Sequence, residues 1–136
     1  MKIFLDTNII VDIIEKREGY IDCERIMATN EIDDDHRVDI SSLTVADIAY
    51  ICRKKGREEV IGIIKAISKC VNILSMNGMI FHKLDEFKSP DIEDCIQICC
   101  AEMEQCNVII TDNVEHFKGY TDIPVFSPQE FVALCG

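Results

Sequence analysis

Short apolar runs alternate with amphipathic stretches along this chain, and that alternation predicts strands separated by helices. Lys2-Ile3-Phe4-Leu5-Asp6 reads as a short buried strand, and residues 8–16, where Ile and Val mix with acids, read as the helix after it. Residues 20–30 place Ile21, Ile26 and Met27 at helical spacing. Glu31-Ile32-Asp33-Asp34-Asp35-His36 reads as a polar connection, because it lacks the central Gly and closing Glu of a calcium loop. Residues 38–41 form a second strand. Residues 42–55 form a helix in which Thr44 and, three positions on, Asp47 make a capping pattern, with Gly56 as the stop. Residues 57–70 carry Val60, Ile61, Ile64 and Ile67 on one stripe. Residues 71–74 are a third strand and 79–87 a short helix. Ser89-Pro90-Asp91 opens a longer helix through Gln105, with the proline in its first turn. Residues 107–111 and 123–126 are the last strands, and Pro124 argues for an edge. Ser127 is a natural cap for a final short helix.

Strands alternating with helices imply a parallel sheet covered on both faces. Such sheets bind ligands beyond the carboxyl ends of their strands. Asp6 ends the first apolar run, and Asp112 follows Val108-Ile109-Ile110. Asp47 and Asp94 fall in the first turns of helices that start at the same edge. Asp91 stands three residues before Asp94, on the same helix face. Carboxylates gathered at one crevice repel each other, and a divalent cation is the usual remedy. Oxygen ligands of this kind suit Mg²⁺ or Mn²⁺, which can activate water and stabilise charge on a phosphodiester. His36, His82 and His116 lack zinc-site spacing. There is no Gly-rich phosphate loop and no supported Ser-His-Asp arrangement. Each acid also has a plainer reading. Asp6 could cap the next helix, Asp47 could serve only as the capping partner of Thr44, and Asp91 and Asp94 could simply face a helix dipole.

Composition changes this picture in three ways. The net charge of −11 argues against strong nonspecific binding to nucleic acid, which needs Lys and Arg on phosphates. A cluster of metal-binding acids accounts for part of that charge. Arg53-Lys54-Lys55 with Arg57, and Lys83 with Lys88, are candidate basic patches or ordinary solvated helix ends. The eight cysteines include no Cys-x-x-Cys pair, so reduced thiols used as small core residues are expected. The early Asp6 argues against a secretory leader, and no apolar run reaches the ~20 residues of a membrane span. A cytoplasmic protein of one domain, 1–136, is expected, with no membrane partner.

The chain resembles the PIN-domain nucleases, and in particular toxin ribonucleases of the VapC type. Asp6-Thr7-Asn8-Ile9-Ile10-Val11-Asp12 looks like their opening motif. Ser41-Ser42-Leu43-Thr44-Val45-Ala46-Asp47-Ile48 looks like the second, and Asp91-Ile92-Glu93-Asp94-Cys95-Ile96-Gln97 like the third. Ile110-Thr111-Asp112-Asn113, followed by His116-Phe117 and residues 123–131, looks like the fourth motif and the family's tail. The resemblance implies an α/β/α sandwich around a central, mostly parallel sheet of four to five strands. It implies an Mg²⁺- or Mn²⁺-dependent endoribonuclease acting on an RNA substrate, restrained by a small antitoxin and commonly a homodimer. Carried over by position, Asp6 and Asp94 would be the principal metal ligands. Asp47 would stand where the second acid belongs, and Asp112 would supply the fourth. Asn8, Thr111, Asp91 and Asn113 would support them. The second acid is usually Glu, so Asp47 is one methylene short. In the fourth motif the acid is often the third residue, where this chain has Asn113.

Two other readings remain open at this point. A catalytically weak PIN module that binds RNA or protein would suit the acidic surface and Asn113. A phosphoacceptor domain also places Asp at strand ends, but Asn8 stands where a dehalogenase-type motif wants its second Asp.

Overall fold

The computed structural model describes residues 1–32 and 35–135. Five parallel strands lie in the order β3-β2-β1-β4-β5. They are β1 (Lys2–Leu5), β2 (Arg37–Ser41), β3 (Asn72–Leu74), β4 (Val108–Ile110) and β5 (Val125–Phe126). Helices connect them: α1 (Thr7–Glu15), α2 (Tyr20–Ile32), α3 (Ser42–Ile51), α4 (Arg57–Cys70), α5 (Gly78–His82), α6 (Ile92–Met103), α7 (Val114–Phe117) and α8 (Pro128–Cys135). Asp33 and Asp34 of the expected polar connection lie outside the described residues.

Side chains of successive strand residues point to opposite faces, and here both faces are buried. Ile3 and Leu5 pack with Ile9, Ile26, Ile48, Ile67 and Phe131, from α1, α2, α3, α4 and α8. Phe4 points the other way, towards Ile80, Ile98 and Phe117 from α5, α6 and α7. The same split repeats in β4, where Val108 and Ile110 join the first cluster and Ile109 the second. The expected α/β sandwich is therefore observed, with every neighbouring pair of strands parallel and Pro124 next to the edge strand.

Cys23, Cys52, Cys95, Cys99, Cys100 and Cys106 are buried thiols, as expected for core residues. Burial pushes Cys23, Cys100 and Cys106 up to about 12, so they remain unreactive thiols.

Several boundaries differ from expectation for local reasons. The cap of α3 is Ser41, not Thr44: its Oγ accepts the Thr44 N–H at 3.2 Å, because the helix starts directly at the end of β2. Thr44 is then inside the first turn and fully buried. The expected 42–55 helix ends at Ile51 and continues as a 3₁₀ turn, Arg53–Lys55. Gly56 stops it with φ 94°, a conformation that disfavours any side chain. The 79–87 segment divides into α5 and a 3₁₀ turn at Leu84–Glu86. Pro90 precedes α6 rather than opening it, because Asp91 takes the cap and its Oδ1 accepts the Asp94 N–H at 3.0 Å. That helix ends at Met103, and Gln105 turns left-handed at φ 58°.

In the middle of β2 the chain carries a carboxylate, Asp39, with 0% exposure. Arg37, two residues earlier on the same face, grips it with Nε at 2.8 Å and Nη2 at 2.9 Å. Asn72 Nδ2 adds a third hydrogen bond at 3.0 Å. Arg37→Met would strand this carboxylate and should cost about 3 kcal/mol, the low end for a broken buried pair because the arginine is partly solvated. Denaturant unfolding measures this. Adding Asp39→Asn in the same chain should recover part of the loss.

Candidate active site

The chain runs from β1 outward through β2 to β3, then returns across β1 to form β4. The order reverses between β1 and β4, and a crevice opens there beyond the carboxyl ends of the strands. Its volume is about 430 Å³, and Asp6, Thr7, Asn8, Arg17, Asp91, Glu93, Asp94, Asn113 and His116 are among its lining residues.

Asp6 sits at its base, 7% exposed, between β1 and α1. Its backbone N–H still belongs to the sheet, donating to the Ile110 carbonyl at 3.0 Å. The carboxylate accepts from Thr7 N at 2.9 Å, from Thr111 Oγ1 at 2.9 Å and from Gln97 Nε2 at 3.3 Å. All three donors are neutral. No Lys, Arg or His forms an ion pair with Asp6 among the described residues. Burial raises the Asp6 carboxyl above its ordinary range, and the three hydrogen bonds oppose that rise.

Gln97 organises this base. It is 1% exposed on α6, and its amide also donates to Thr7 Oγ1 at 3.2 Å and Thr44 Oγ1 at 3.0 Å. Its carbonyl accepts from Ser41 Oγ at 2.5 Å. One side chain thus joins the ends of β1 and β2 to α1, α3 and α6. Thr111 plays the matching part from β4, accepting from Asn113 N at 3.1 Å.

The upper wall is the first turn of α6. Asp94 stands there with its carboxyl pushed up to about 6, by burial first and then by the charges of Asp91 and Asp6. His116 Nδ1 lies 3.8 Å from Asp94 Oδ2. Glu93 is pushed up to about 7, chiefly by a hydrogen bond to Asp47 and then by burial. The exposed amino ends of α1 and α6 both carry positive dipole ends toward this crowd of acids.

The expected site residues therefore separate. Asp6, Asn8, Asp91, Asp94 and Asn113 line one crevice, with Thr111 directly behind Asp6. Asp47 is not in that lining. It reaches the crevice through Thr7, whose Oγ1 donates at 3.4 Å, and through Glu93. Asp112 is not in that lining either, although its charge still acts on Asp6. Its carboxyl, raised to about 7 by burial, shares a hydrogen bond with Asp12, which lies 3.9 Å from Arg17. Its backbone N–H still donates to Asn8 Oδ1 at 3.3 Å. Gln97 and Glu93 were not singled out from the sequence. The available signal for Gln97 was an amide one position before Ile98 on the buried stripe of α6. Glu93 gave no signal distinct from any acid in a first helical turn.

Among the described residues, no three His, Cys, Asp or Glu side chains form a ready-made metal cluster. The donors are instead carboxylates spaced around an open crevice and fixed by neutral hydrogen bonds. That donor chemistry fits a hard cation that keeps several waters, and it does not fit zinc's closed four-ligand shell. No helix among the described residues is long and apolar enough to cross a membrane.

This chain belongs to the PIN domain family, whose model matches residues 2–115. It is 25% identical to Ribonuclease VapC1 of Aquifex aeolicus over 96% of this chain and 92% of that protein. Its fold is similar to that in the structure of VapBC-1 from nontypeable Haemophilus influenzae, with TM-score 0.74, 24% identity and coverage of 95% and 99%. It is also similar to that of VapBC2 from Rickettsia felis bound to a DNA fragment from their promoter, with TM-score 0.73, 20% identity and coverage of 93% and 98%.

The raised carboxyls imply a pH-dependent stability of the metal-free protein. Folded pKa values above the unfolded ones mean that the folded state holds protons more tightly. Stability therefore falls as pH rises through the window from about 4 to about 7. In EDTA, Asp94→Asn should melt about 3 °C above the wild type at pH 7.5, and the gap should be roughly halved at pH 5, closing only as the pH falls below the ordinary carboxylate range. An excess of divalent cation should reverse the order at pH 7.5. Thermal unfolding at the two pH values reads all three outcomes.

Proposed function

We propose that this chain is a divalent-metal-dependent endoribonuclease and the toxin of a toxin–antitoxin pair. One observation carries the reading. A buried carboxylate, Asp6, faces the Asp94 carboxylate across a crevice at the strand-order reversal, and only neutral groups hold it. Burying a charge in this way is costly unless a cation or a proton arrives. Asp6 and Asp94 would be the principal ligands of Mg²⁺ or Mn²⁺. Asp91, Glu93 and Asn113 line the same crevice and would accept hydrogen bonds from water carried by the ion. When bound, the ion would supply Lewis acidity, lowering the pKa of a water and neutralising charge on the phosphodiester.

The chain's own residues do the positioning. Thr111 and Gln97 lock the Asp6 rotamer, so its free lone pairs keep one direction. Asn8 ties the start of α1 to the segment after β4 and keeps the crevice width fixed. Asp47 acts through Thr7 and Glu93 rather than as a direct ligand. Asp112 supports the loop through Asp12.

The similarity to Ribonuclease VapC1 supports an RNA substrate, and the VapBC assemblies support a small antitoxin as partner. Ile51 and Ile92 beside the crevice are 44% and 63% exposed, apolar surface that a second copy or the antitoxin would cover. A homodimer acting in the cytoplasm fits this reading.

A second reading is a PIN module that binds RNA or protein without robust cleavage. The absence of Asp112 from the crevice lining and the net charge of −11 favour it. Incubating a transfer-RNA pool with Mg²⁺, Mn²⁺ or EDTA decides between the two. We expect cutting with either metal, none in EDTA, and a loss of at least ~100-fold in Asp6→Asn and in Asp94→Asn. Robust cleavage by either variant would sink the proposed site. No cutting by the wild type with any metal would favour the binding module.

A further inference from the structure

Among the described residues His116 is the one histidine lining the crevice, and neither the carboxylate scheme nor the positioning network uses it. It sits on α7, one residue before Phe117, which is fully buried in the second core cluster. The turn is also pinned by the His116 N–H, which donates to the Asn113 carbonyl at 2.9 Å. The backbone beneath the ring is therefore rigid, while the ring itself is 64% exposed toward the crevice mouth. Its ring has one polar neighbour among the described residues, Asp94 Oδ2, 3.8 Å from Nδ1.

That separation is informative. It is too long for a good hydrogen bond. Two donors sharing one octahedral ion at about 2.1 Å lie roughly 3 to 4.2 Å apart, depending on the angle between them. We propose that His116 Nδ1 is a direct ligand of the ion held by Asp94, which makes this a mixed nitrogen–oxygen site selective for Mn²⁺ over Mg²⁺. Imidazole is a poor partner for hard Mg²⁺, whereas transition metals accept it readily. The ring stays neutral when it coordinates, so the site gains a ligand without adding to an already crowded set of acids. This proposal rests on the metal site described above.

The test uses Mn²⁺ and Mg²⁺ themselves as probes. Pulsed electron paramagnetic resonance on the Mn²⁺-loaded protein should show a nitrogen coupling from a directly bound imidazole, and His116→Ala should abolish it. Calorimetric titration should show the Mn²⁺ affinity falling about 10-fold in His116→Ala, with Mg²⁺ affinity unchanged within twofold. Asp94→Asn should weaken both metals. Mn²⁺ bound without nitrogen coupling in the wild type, or equal losses of both metals in His116→Ala, would overturn the proposal while leaving the carboxylate site intact. If the wild type bound neither ion, the metal site itself would fail, and the proposal with it.

Discussion

The Asp6 carboxylate is the constraint around which this molecule is arranged. It is buried at the point where the strand order reverses, and its backbone is still part of the sheet. Its hydrogen-bonding neighbours are donors without charge: a helix N–H, a threonine hydroxyl and a glutamine amide. Each of them comes from a different element, α1, the end of β4 and α6. Satisfying one side chain thus requires the whole carboxyl edge of the sheet to be in register. The carboxylate keeps hydrogen-bond acceptor capacity but no compensating charge, a costly state for a folded protein unless something outside the chain completes it.

The interior of β2 provides an internal comparison. Asp39 is at least as buried as Asp6, yet the chain supplies its counter-charge two residues away, in the Arg37 guanidinium. Asn72 fills a further lone pair, and the same guanidinium also reaches Glu104. The two buried carboxylates have therefore been given opposite treatment. Asp39, inside β2, is neutralised from within and serves the fold. Asp6, at the carboxyl edge, has no such counter-charge among the described residues, and the acids around it are crowded too: Asp94 is raised to about 6, and Glu93, beside Asp47, to about 7. Local cost concentrated at one place, with the rest of the fold well satisfied, is what a functional site is expected to show.

Much of this was legible in the residues. Alternating apolar runs and amphipathic stretches were enough for the parallel sheet, because strands buried on both faces read mostly as apolar runs, β2 with its buried Asp39 being the exception. Asp6 and Thr111 were placed correctly at strand ends because register along a strand is fixed by its period of two. Asp94 followed from the start of α6. The errors were errors of side-chain direction and of cap choice. Thr44 and Ser41 are both competent caps, and only the point where β2 ends decides between them. Asp112 follows the same strand as Thr111, but one residue further along the chain it bonds Asp12 and is not in the crevice lining. Gln97 was hidden because an amide on a helix is unremarkable until the three hydroxyls it bonds, on Ser41, Thr7 and Thr44, arrive from distant parts of the chain.

The acidity of the chain also takes on a different sense once the charges are placed. A net charge of −11 spread evenly would repel a polyanion from every direction. Here a share of it is concentrated at one crevice, where it is the part that a bound cation offsets. Arg17 stands at the lining of that same crevice, and Arg53, stacked 4.0 Å over the Tyr50 ring, follows the end of α3 whose Ile51 also lines it. On the proposed function, a bound ion would turn a crevice that repels a phosphodiester into one that accepts it, with Arg17 beside it at the lining. Metal occupancy would then govern binding as well as chemistry, and the affinity for nucleic acid and the affinity for the ion would be two readings of a single coupling free energy.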